Sequence, residues 1–167
     1  MLNILKLIHI FLALNAIGAG ISVCIAMVTG RFFEAWVRHF LRFSLAAGSM
    51  GLILSIGHHS VAQLLTMLSV YASAFAVLSW RKYSTSDAWA PAVVLSTMCV
   101  LCLDTVIMIA HIFKLLAACN VLDLAQPDIP LAVSMVTAVL LFALLSMTAL
   151  KKIHQYATDP LMHKVSR

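Results

Sequence analysis

Long apolar stretches alternate with short polar breaks along the whole chain, and the breaks hold nearly all of the charge. Each stretch approaches or exceeds the roughly 20 residues that a helix needs to cross a bilayer. The first runs from Ile4 to Val28 and ends at Gly30-Arg31. The second begins near Trp36, carries Arg38, His39 and Arg42 at its start, and continues through an apolar body to Ile56 before Gly57-His58-His59-Ser60. The third, Val61 to Trp80, closes at Arg81-Lys82. A polar segment from Tyr83 to Asp87 leads to the fourth, Trp89 to Ala118, where Pro91 suits a first helical turn. Asn120 to Pro130, with Asp123, Asp128 and two prolines, reads as a loop before the fifth stretch, Leu131 to Leu150, which Lys151-Lys152 closes. The pattern predicts an all-α integral membrane protein, a compact bundle of about five transmembrane helices forming one domain over residues 1–167. Stretches two and three together are about twice a membrane thickness with Gly57 at their centre, so a hairpin is expected there.

Composition sharpens this reading. The chain of 167 residues is 63% hydrophobic and 10% charged, with a mean hydropathy of +1.03, far from the range of a water-soluble domain. The first stretch is longer than the apolar core of a signal peptide and is followed by others like it, so its retention is expected. The net charge of +5 falls between the spans rather than in a patch with interleaved aromatics, which argues against nucleic-acid binding. With five spans, Arg31, Arg38, Arg42, Arg81, Lys82, Lys151, Lys152, Lys164 and Arg167 share one side, whereas four spans would divide them. Cytoplasmic loops gather Lys and Arg, so the N-terminus is expected outside and the C-terminus inside. Trp36, Trp80 and Trp89 then form a belt at the inner boundary. Short loops and this bias favour a bacterial inner membrane.

Ionisable groups within spans are costly unless paired or hydrated, which makes them the best functional leads. His9 on the first stretch and His111 on the fourth each lie about seven residues from mid-span in the outer half, roughly 10 Å from the midplane. His9, Ala13, Ala16 and Gly20 share a helical stripe of mostly small residues, which turns His9 into the bundle. Thr97, Asp104 and His111, spaced by seven, mark the polar face of the fourth stretch. Lys6 and Lys114 sit one turn outward of the two histidines.

This arrangement fits a haem, with His9 and His111 as axial ligands and Lys6 and Lys114 meeting propionates at the surface. It resembles the general plan of membrane b-type cytochromes, in which histidines on different spans hold a haem near one face. The competing reading has both histidines hydrogen-bonding neighbouring helices while the lysines snorkel to water. His58 and His59 are candidate ligands for a transition metal together with His111, or plain interfacial turn residues. Asp104, near the midplane, is expected to be protonated, hydrogen-bonded to Thr97 or Thr105, or part of a proton route toward His111. Cys99 and Cys102 have redox spacing, but a midspan position and the lone Cys119 outside argue for packing. No phosphate loop, nucleophile elbow or metalloprotease motif occurs.

Two function classes follow. One is an electron-transfer or redox membrane subunit binding haem b or a metal near the outer face, with a quinone or a partner redox protein on that side. The other is a non-catalytic membrane subunit, assembly factor or small carrier without a cofactor. The residues alone leave open whether the chain is an enzyme.

Overall fold

A computed structural model describes residues 2–29, 34–54, 61–118 and 128–158. They form five α-helices: α1 (Leu2–Val28), α2 (Glu34–Leu54), α3 (Val61–Tyr83), α4 (Ala90–Ala118) and α5 (Asp128–Thr158). Four are long and apolar enough to cross a membrane, over Ile4–Val28, Gln63–Tyr83, Ala90–Leu116 and Ile129–Gln155. In α2, by contrast, Arg38, His39 and Arg42 make the first half polar. The last helix extends beyond the expected Leu131 to Leu150 at both ends. Pro130 is tolerated in its first turn, and Lys151 and Lys152 are good helix formers that carry it on.

Neighbours in sequence pack as neighbours in space, α1 on α2, α2 on α3, α3 on α4 and α4 on α5, and α4 also touches α1 and α2. The α3–α4 connection is tight. Ser84 Oγ donates to the Arg81 carbonyl, Thr85 Oγ1 to that of Lys82, and the Trp89 amide to that of Ser86 within the short 3-10 turn Asp87–Trp89. This hairpin fixes the register that places Ser69 opposite Asp104.

The bundle has two unlike halves. Where α1 and α3 end and α2 and α4 begin, Val23, Met27, Val37, Phe40, Ala76, Val93, Val94, Met98 and Leu101 interlock into a solid core. Burial of these side chains contributes mainly through packing, since lipid itself is apolar. Gly20 allows the close approach, because a Cβ there would stand 2.9 Å from Cε2 of Phe40. The other half holds a cavity, lined by Ala13, Ala47, Gly48 and Gly51 among others, and Gly48 also lets α3 come close, since a Cβ there would stand 2.7 Å from Cγ2 of Val70. The fifth helix is peripheral. Ile129, Val133, Val136, Leu140, Leu144 and Met147 are exposed along one stripe, while Ala138 and Ala149 are buried.

Candidate functional site

The cavity has a volume of about 540 Å³ and is walled by α1, α2, α3 and α4. That lies within the range of small-molecule and cofactor sites, and its mainly apolar wall with a few convergent polar groups is of the same kind. The polar groups are Lys6 and His9 from α1, Gln63, Thr66 and Ser69 from α3, and Asp104 and His111 from α4. Ile10, Ile112 and Leu115 at the cavity wall are also exposed on the outside of the bundle.

The His9 and His111 rings are 6.4 Å apart between centroids, with their planes inclined by 56°. His111 Nδ1 lies 2.8 Å from the Ile107 carbonyl oxygen, which can only accept, so Nδ1 carries the proton. The lone pair therefore sits on Nε2. This is the device by which metal-binding histidines are commonly oriented. His9 Nδ1 is buried and has no hydrogen-bond partner, and the other edge of the ring faces Gly51, with Cε1 3.2 Å from where a Cβ on that residue would lie. Gly51 thus leaves the room that the imidazole occupies.

Asp104 is held at both oxygens. Ser44 Oγ donates to Oδ2 at 2.6 Å and Ser69 Oγ donates to Oδ1 at 2.7 Å. Ser44 also lies 3.2 Å from the hydroxyl of Ser73. The carboxyl thereby ties α2 and α3 to α4 at the floor of the cavity.

Several sequence expectations change in detail. Thr105 donates back to the Leu101 carbonyl, and Thr97 is fully buried with its hydroxyl unpartnered, so neither serves Asp104. A seven-residue repeat drifts by about 20° on a straight helix. More decisively, Thr97 lies about 10 Å further along α4 than Asp104, past the cavity floor and among the buried core residues. Lys6 lines the cavity, whereas Lys114 is exposed and does not. Cys24 is buried, Cys102 half-buried and Cys99 exposed. His58, His59 and Cys119 lie outside the described residues. Among the described residues, no group of three His, Cys, Asp or Glu side chains could hold a metal ion.

Nothing in the sequence pattern singles out Ser44, and Ser69 and Ser73, four residues apart in an apolar helix, suit helix packing as well as hydrogen bonding. The signal available was the short α3–α4 connection, which sets Ser69 level with Asp104 in an antiparallel hairpin. Comparison with protein-family models, curated proteins and solved structures finds no match to this chain.

Proposed function

We propose that the chain is a membrane electron-transfer protein whose centre is this cavity, with His9 and His111 as the axial ligands of a haem b. The observation that carries the reading is the separation of the two rings. With metal–nitrogen bonds of about 2.0 Å and about 1.1 Å from nitrogen to ring centre, two imidazoles on opposite sides of one metal have centroids about 6 Å apart, against about 5 Å at a tetrahedral angle. The observed 6.4 Å is close enough for both side chains to hold one group between them.

The donor set agrees. A haem would ask the chain for two imidazoles: His111 offers Nε2, because its Nδ1 donates to the Ile107 carbonyl, while His9 Nδ1 is buried, so the His9 ring would have to turn to present a nitrogen to the group. Lys6 lines the same cavity and would be available to a propionate, and Ala13 and Ala47 line it with small apolar side chains. The bound group would supply one-electron chemistry, and the chain would hold it, orient it and keep water away. The electron partner this reading calls for is a quinone or a partner redox protein on the outer side.

In the bilayer, all five helices cross, with the N-terminus outside and the C-terminus inside. Arg38, Arg42, Arg81, Lys82, Lys151 and Lys152 are all exposed near the same end of the bundle, which supports placing that end in the cytoplasm of a bacterial inner membrane. Lys82 Nζ sits 4.4 Å from the centre of the Trp89 ring, and Trp80 stacks obliquely on Tyr83 at 5.7 Å, an aromatic belt suited to that boundary.

A second reading, a non-catalytic subunit or assembly factor, is favoured by one observation. The Asp104 network joins three helices and is sufficient to explain an intramembrane carboxyl as a packing device. An absorption spectrum of the purified chain separates the two, because only the first gives a Soret band that shifts on reduction.

A further inference from the structure

We infer that Asp104 is a proton-exchange site, served by the cavity and backed by a hydrogen-bond chain that can reverse direction. The inference makes no use of a haem.

Three observations carry it. First, Asp104 lines the cavity while its two oxygens are held by Ser44 and Ser69, so the carboxyl is fixed in place and also reachable from the outer half of the bundle. Second, the Ser44–Ser73 contact at 3.2 Å can run either way. When Asp104 is a carboxylate, Ser44 donates to it and Ser73 donates to Ser44. When Asp104 is a carboxylic acid, its O–H donates to Ser44 Oγ, Ser44 turns to donate to Ser73, and Ser73 is left free to donate to its own helix, as serines in helices commonly do. Both protonation states are satisfied by rotating hydroxyls alone.

Third, the way beyond Asp104 is closed. The core of Phe40, Met98, Leu101 and their neighbours fills the remaining half of the bundle, so the proton must come and go on the cavity side. The step balances as Asp104 carboxylate plus hydronium giving the carboxylic acid plus water. Its use is electrostatic, because a negative charge entering a low-dielectric cavity is stabilised when a proton enters with it, and a positive one when a proton leaves. Few other groups compete. Among the described residues, α1 offers Lys6 and His9 to the cavity and α4 offers His111. The ionisable groups of α2, Glu34, Arg38, His39 and Arg42, are exposed in its first half; on α3 Tyr71 is exposed, and Arg81 and Lys82 lie at its far end; on α4 Lys114 is exposed; on α5 Lys151, Lys152 and His154 lie beyond the core.

The test is infrared difference spectroscopy of the full chain in detergent, comparing acid with alkaline buffer in the carboxylic C=O region. The wild type should show a band that Asp104→Asn removes, and Ser44→Ala should move that band to higher frequency because the acid has lost its acceptor. Superimposable difference spectra for wild type and Asp104→Asn would overturn the inference. If Asp104→Asn does not fold, Ser44→Ala decides alone, and an unmoved band overturns it. A colourless protein that passes this test would reject the haem and leave the proton site standing.

Discussion

A Cβ on Gly51 would lie 3.2 Å from Cε1 of His9, so the α2 backbone is the wall against which the His9 ring is set. Alanine there needs a shift of a few tenths of an ångström, while a larger side chain must push the imidazole aside or fill the cavity. On the haem reading, Gly51→Leu should lose the bound chromophore and Gly51→Ala should keep it with affinity lowered about tenfold, equivalent to ~1.4 kcal/mol. Haem titration with helicity followed by circular dichroism checks both. Equal binding by Gly51→Leu and wild type would count against the cavity as the site.

The solid half of the bundle responds differently. A Cβ on Gly20 would collide with Leu101 and approach Phe40, whereas one on Gly18 would meet no heavy atom within 4 Å. Gly20→Ala is expected to cost about 1–3 kcal/mol through overpacking. Gly18→Ala should leave thermal stability in detergent unchanged or slightly raised. Equal melting temperatures for the two variants would contradict the described packing of α1 on α2 and α4.

The serines around Asp104 form one unit, and their losses should not add. Ser44→Ala and Ser69→Ala each remove one donor to the carboxyl, at a cost of about 0.5–1.5 kcal/mol in a membrane setting. The double variant should depart from the sum, because the second loss leaves Asp104 with no hydroxyl donor. Simple additivity in a double-mutant cycle would indicate that the two serines act separately.

Much of this architecture is legible in the residues. The apolar runs locate the helices, although α3 continues through Arg81-Lys82 to Tyr83, because arginine and lysine are good helix formers and suit a last turn. The matched depth of His9 and His111 follows from rise per residue, and the structure brings the two rings side by side. The partners of Asp104 are harder to read. They depend on the relative register of α2, α3 and α4, which no periodicity within a single helix records, and serine in a membrane helix looks alike whether it packs or donates. Lys114 illustrates the same limit. One turn from His111 in sequence, it points away from the cavity that Lys6 lines.

The five-crossing topology makes its own prediction. A reporter fused after Arg167 should be active only in the cytoplasm, and one inserted between Asn120 and Pro130 only outside. A third reporter fused before Met1 should be active only outside, whereas it would share the cytoplasmic side with the one after Arg167 if α2 lay along the surface instead of crossing. A cytoplasmic signal from the 120–130 insertion would reject the assignment.

The central claim is that His9 and His111 hold a redox group between α1 and α4. The most direct measurement is the absorption spectrum of the chain purified in mild detergent, oxidised and then reduced, for wild type, His9→Ala and His111→Ala. The account predicts a Soret band that shifts on reduction in the wild type and is lost in both variants while helicity is retained. A wild type that remains colourless after reconstitution with haem, or a Soret band that survives in both variants, would contradict it.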